Sequence, residues 1–210
     1  MTTGEKKITE YAGELSGKAP VPSGGGAVAL TGMLGTALGL MVTNLTTGKK
    51  KYDAYQERLE QILPELSALR DRFLLLADAD EYNFLPLSAA YRMPRDTEEE
   101  QAKRKEEMER CLLLACRVPL ETMELSLKGL QIMEELLTIG TRLALSDVGI
   151  GARLLSAALS GAFLNVMINA RDMQDRKQAE LLLSRGEACL AQGEEIAHKV
   201  YEAVRRELQS

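Results

Sequence analysis

Residues 19–51 read APVPSGGGAVALTGMLGTALGLMVTNLTTGKKK, and no charged residue stands between Ala19 and Gly48. The stretch is long enough to cross a bilayer, and Gly35 and Gly39 form a GxxxG pair. It also carries Thr31, Thr36, Thr43, Asn44, Thr46 and Thr47 after a start rich in Pro and Gly. That polar content favours a buried central helix over Gly26–Leu45, whose small residues let neighbouring helices approach closely, over a membrane span.

Outward from this segment, Gly and Pro punctuate a chain that otherwise reads as helix. A short amphipathic helix is expected around Lys6–Leu15, followed by a loop over Ser16–Gly25. The central helix should end at Thr46–Lys51. A long helix is expected over Asp53–Tyr91, with Leu59, Ile62, Leu63, Leu66, Leu69, Phe73 and Leu76 near three- and four-residue spacing. Pro64 and Pro86 should kink or divide it. After a connector at Arg92–Asp96, Thr97 and Glu100 form a capping-box pattern for a helix to Ile139, with a break expected at Pro119. Ser146 can cap a helix reaching Ala170, and a charged helix should run over Asp175–Leu208. No stretch alternates with the period of a strand. The expectation is an all-α, multihelical bundle around the uncharged helix, as one domain over residues 1–210.

Composition narrows the function. The 210 residues are 45% hydrophobic and 27% charged, as in ordinary globular proteins, and the net charge of -5 argues against a nucleic-acid partner. Trp is absent and aromatics are 4%, which leaves little for base stacking. Cys111, Cys116 and Cys189 are odd in number and lack CxxC spacing, so a disulfide framework is not expected and a reducing, cytoplasmic setting is. Residues 1–14 are polar, unlike a targeting segment. His198 is the sole histidine, so a His/Cys zinc site cannot readily be assembled, and metal-free, cofactor-free chemistry is expected.

Four constellations carry candidate chemistry. Gly24, Gly25 and Gly26 precede the uncharged helix and can aim backbone N–H groups at an anion or oxyanion; a tight loop starting a close-packed helix would need the same residues. Lys49, Lys50 and Lys51, before Tyr52, stand at the other end of that helix. They can complement its dipole, or hold an acidic substrate tail and supply a proton. Asp78 and Asp80 lie two apart, so one helix cannot easily aim both into one pocket. Ser146 and Asp147 can cap a helix or face a ligand. Asn165, Asn169 and Asp172, at i, i+4 and i+7, share one helix face, where they would bond another helix or a ligand.

Together these segments resemble the cyclodeaminase/cyclohydrolase family, which includes the C-terminal half of formiminotransferase-cyclodeaminase and stand-alone bacterial cyclohydrolases. The resemblance lies in Ala19–Ala27 (APVPSGGGA), Asn44–Tyr52 (NLTTGKKKY), Asp78–Phe84 (DADEYNF), Val118–Leu120 (VPL), Ser146–Gly149 (SDVG) and Ala162–Asn169 (AFLNVMIN). These motifs span nearly the whole chain in order. Ser23 departs from the glycine common at its position.

The resemblance implies a helical homodimer acting on a tetrahydrofolate derivative, whose polyglutamate tail needs cations. Deaminase members look like GNxNSxSD where this chain has Gly140–Asp147, GTRLALSD. That form, with Phe84–Ser88 and Thr97–Glu100, is similar to clostridial-type cyclohydrolases. Hydrolysis of 5,10-methenyltetrahydrofolate to 10-formyltetrahydrofolate is therefore expected. Cyclodeamination of formiminotetrahydrofolate is the alternative, and a non-catalytic dimerisation module a second. Expected catalytic residues are Asp147, Lys49 and Asp78. Expected substrate contacts are Gly24, Gly25, Gly26, Lys50, Tyr52, Ser146, Asn165 and Asn169.

Overall fold

A computed structural model describes residues 2–210, and among them every regular element is helical. Six α-helices follow in order: α1 (Ile8–Leu15), α2 (Gly24–Thr46), α3 (Gln56–Ala90), α4 (Glu98–Ile139), α5 (Leu145–Asp172) and α6 (Arg176–Gln209). Short 3₁₀ turns lie at Thr3–Glu5, Lys50–Tyr55 and Arg142–Ala144.

Helix α2 packs on α3, α4 and α5 through positions without side chains. A Cβ on Gly32 would meet the Phe73 ring at 2.6 Å, and one on Gly35 would meet the Gly151 carbonyl at 2.9 Å. The second contact, with Val28 lying against Gly161, runs α2 antiparallel to α5. Buried hydroxyls are satisfied within the helix: Thr36, Thr43 and Thr46 donate to the carbonyls of Gly32, Gly39 and Val42 at 2.7–2.9 Å. This is how an uncharged core helix accommodates threonine.

The expectation of a helix buried on all sides needs correction. Only one side of α2 is in the core. Leu34, Met41 and Leu45 are exposed, and both α2 and the segment 142–172 are long and apolar enough to cross a membrane while only half buried.

The break expected at Pro119 is not found, and Pro64 and Pro86 do not divide α3, since α3 and α4 run unbroken through all three prolines. A helical proline leaves the carbonyl four residues earlier without its amide partner. For Pro64 that carbonyl belongs to exposed Glu60, where water can serve. For buried Pro119 it belongs to Ala115, and Asn169 Nδ2 of α5 donates to it at 3.2 Å. The break is repaired by a neighbouring side chain.

Caps follow the sequence at α4 and α6. Thr97 and Glu100 form the reciprocal box, and Asp175 accepts from the Gln178 N–H at 3.0 Å. At α5 they do not. Ala144 precedes the helix and Ser146 lies inside its first turn.

Candidate functional site

The site is built where the N-terminus of α2 meets the C-terminal third of α3 and the C-terminal half of α5. Ser23 caps α2, its Oγ accepting from the Gly25 N–H at 3.4 Å. The same hydroxyl donates to Asp80 Oδ2 at 2.7 Å, and the Gly26 N–H donates to that oxygen at 2.9 Å. The approach is so close that a Cβ on Gly25 would lie 2.0 Å from Asp80 Oδ1. Gly25 is therefore required by the carboxylate. Gly24, by contrast, faces open space, with nothing within 4 Å of where a Cβ would stand.

Asp80 is 8% exposed. Burial pushes its carboxyl above the ordinary carboxylate value, and the Ser23 and Gly26 donors pull against that. A buried carboxylate with a raised pKa beside a cavity is the arrangement expected of a general base. The cavity measures about 220 Å³, and its walls include Ser23, Gly24, Gly25, Asp80, Asn83, Phe84, Asn165 and Asn169. Asp80 is its one charged wall residue.

Of the sequence candidates, Gly24, Gly25, Asn165 and Asn169 come together here, while Gly26 supports Asp80 from behind. Asn169 spends one of its two amide N–H groups on the Ala115 carbonyl, which fixes the orientation of its side chain on the cavity wall. Asp78 points elsewhere, accepting from the Thr3 N–H at 2.7 Å. Of the aspartate pair, the structure brings Asp80 rather than Asp78 to Gly24–Gly26, which form the first turn of α2 and not the end of the expected loop. Asn83 and Phe84 were not singled out from sequence as site residues. Their spacing of three and four from Asp80 places them on its helix face, and that spacing was the available signal.

The remaining candidates gather at the opposite end of α2, roughly 33 Å away for a 23-residue helix. Gly48 turns the chain there with φ +75°, a conformation that suits glycine. Lys49 Nζ reaches Thr141 Oγ1 at 3.5 Å, and the Thr141 N–H donates to Thr46 Oγ1 at 2.9 Å. Tyr52 accepts from the Arg142 N–H at 3.3 Å, which holds its phenol below the usual value. Lys50 and Ser146 are exposed and Asp147 half-buried. Within one chain, Asp147, Lys49, Lys50, Tyr52 and Ser146 do not reach the Asp80 cavity. Among the described residues, no three His, Cys, Asp or Glu side chains converge as metal ligands.

The family model described as formiminotransferase-cyclodeaminase matches residues 7–188. The chain belongs to this family. Among its relatives, a protein named methenyltetrahydrofolate cyclohydrolase from Methylorubrum extorquens is 34% identical over 96% of this chain and 97% of its own. Formimidoyltransferase-cyclodeaminase of Gallus gallus is 32% identical over 82% of this chain, which spans only 32% of that longer protein. The crystal structure of formiminotetrahydrofolate cyclodeaminase from Thermotoga maritima superposes with a TM-score of 0.87 over 98% of both chains, at 24% identity. At that identity the likeness establishes the fold of this family member.

Proposed function

We propose that this family member is a methenyltetrahydrofolate cyclohydrolase, converting 5,10-methenyltetrahydrofolate to 10-formyltetrahydrofolate without a metal or cofactor. The observation that carries the reading is the 34% identity, over 96% of this chain, to a protein named methenyltetrahydrofolate cyclohydrolase. Thr141 and Leu143, where deaminase members resemble an Asn pair, support the same branch.

The methenyl bridge is an amidinium-like carbon held between N5 and N10. Asp80, raised by burial, takes a proton from water as the oxygen adds to that carbon. The adduct then collapses. The N5–carbon bond breaks, N5 takes up a proton, the hydroxyl loses its own as the formyl C=O forms, and N10 keeps the formyl group. One proton is released overall. Asn165 and Asn83, on the cavity wall, orient the pterin and the attacking water. The first turn of α2 offers backbone dipoles to the developing negative oxygen. Lys49 and Lys50 serve the acidic, polyglutamylated tail. The working unit is a cytoplasmic homodimer.

A spectrophotometric assay of methenyl- and formimino-tetrahydrofolate in parallel tests the reading, with faster turnover of the methenyl compound expected. Activity should also survive prolonged EDTA treatment. Loss on chelation with recovery on adding zinc would refute the metal-free mechanism.

A further inference from the structure

The two oxygens of Asp80 are engaged differently. Oδ2 accepts two hydrogen bonds, from the Ser23 hydroxyl at 2.7 Å and from the Gly26 N–H at 2.9 Å. Among the described residues nothing donates to Oδ1, and that atom is not one of the fully buried oxygens left without a partner. It stands against Gly25, 2.0 Å from where a Cβ would be, and both residues line the cavity. Oδ1 is the carboxylate oxygen open to water and ligand.

We infer that Ser23 is a positioning residue for the base: its hydroxyl, with the Gly26 N–H, occupies Oδ2, so that the proton drawn from water is held at Oδ1. The inference rests on the reading of Asp80 as the base. A carboxylate oxygen offers a pair of in-plane acceptor sites, and both on Oδ2 are taken. A proton placed there would have to displace a donor. The Gly26 N–H is fixed in the first turn of α2, and Ser23 would have to swing its hydrogen off the carboxylate. On Oδ1 the proton displaces nothing, so the donors stay in place before and after proton uptake and no dipole has to reorient. Ser23 is itself held, with an extended backbone (φ -121°, ψ -177°) and its Oγ accepting from the Gly25 N–H. Without the hydroxyl, Asp80 keeps one donor and its carboxylate is freer to turn about the Cβ–Cγ bond.

The other ionisable groups nearby do not do this work. The Tyr11 phenol of α1 lies among Asp78, Asp80 and Glu81, but burial pushes it above its ordinary value and its hydroxyl makes no hydrogen bond. Asp78 and Glu81 share the helix of Asp80, and Asp78 accepts from the Thr3 N–H. Helix α2 carries no charged residue, and α4 and α5 bring only uncharged side chains to the cavity.

Threonine and glycine cap helices about equally well and both accept an extended backbone, so Ser23→Thr and Ser23→Gly differ at the hydroxyl rather than at the cap. Both are compared with wild type and Asp80→Asn after circular dichroism has confirmed native helix content. Hydrolysis of methenyltetrahydrofolate is followed against pH, and the Asp80 carboxyl carbon is titrated by carbon-13 NMR, its signal identified by its absence from Asp80→Asn. In Ser23→Gly the acid limb of kcat and the NMR midpoint should both move to higher pH, because the ionised carboxylate has lost a donor. The plateau of kcat should fall by roughly 10–100-fold as the base loses its orientation. Ser23→Thr should restore all three. An NMR midpoint and an acid limb that both stay at the wild-type position in Ser23→Gly overturn the inference, as does a Thr variant that behaves like the Gly variant. A midpoint that moves while the limb does not, or a limb that persists in Asp80→Asn, shows instead that Asp80 is not the base.

Discussion

Asn169 on α5 donates to the one carbonyl of α4, that of Ala115, whose helical amide partner Pro119 removes. The bond joins two helices on the wall of the Asp80 cavity, so a backbone defect becomes a fixed point of the site. Asn169→Leu leaves the buried carbonyl unpaired and should cost about 1–3 kcal/mol of stability. With Pro119→Ala in place, the helix supplies its own N–H and the same substitution should cost much less. A double-mutant cycle by urea denaturation measures the coupling, and additive effects would show that the two residues act independently.

Gly24 and Gly25 are neighbours with opposite requirements. Gly25→Ala drives a methyl into the Asp80 carboxylate and should destabilise the protein by about 1–3 kcal/mol or more, with loss of activity. Gly24→Ala meets nothing in the protein, so thermal stability should change little while KM rises if substrate approaches the backbone there. Equal destabilisation of both variants by differential scanning calorimetry would contradict the geometry.

Burial raises the Asp80 carboxyl above its ordinary 3.8, so the folded protein binds that proton more tightly than the unfolded chain does. The ionised carboxylate therefore costs stability above its raised pKa, and the cost vanishes once pH falls below the unfolded value. Asp80→Asn should accordingly be at least as stable as wild type at neutral pH, with the two converging in acid. Its kcat should drop by roughly 10²–10⁴-fold. The wild-type rate should fall as pH descends through the raised pKa, and this acid limb should be missing from the residual rate of the variant. A variant that is both destabilised and fully active would assign Asp80 to structure alone.

How much of this was legible in the sequence differs between fold and site. Helix positions followed from periodicity, because burial and the 3.6-residue repeat are local properties that Leu59, Ile62, Leu66 and Phe73 display directly. The continuity of α4 did not, because the group that compensates for Pro119 lies on another helix, 50 residues away at Asn169. Asp80 could not be separated from Asp78 by type. What separates them is the Ser23 hydroxyl and the Gly26 N–H, brought in from α2. GKKKY and the glycines stand at opposite ends of α2, and only the resemblance assigns both to one substrate. A rigid helix holds them apart, and sequence contains no measure of that distance. The half-exposed face of α2 was hidden for a related reason: an uncharged run reads the same whether one side of the helix is packed or both are.

The central claim, hydrolysis of the methenyl bridge, is tested most directly by comparing kcat/KM for 5,10-methenyltetrahydrofolate and 5-formiminotetrahydrofolate on the same purified protein. Thr141 and Leu143 occupy positions where deaminase members resemble an asparagine pair, and a site lacking amides that orient the formimino nitrogen should discriminate strongly against it. The account predicts that the methenyl bridge is hydrolysed to the 10-formyl product with the higher kcat/KM, and that ammonia release from the formimino compound is much slower. Faster ammonia release, with the methenyl substrate turned over no quicker than in buffer, would contradict it.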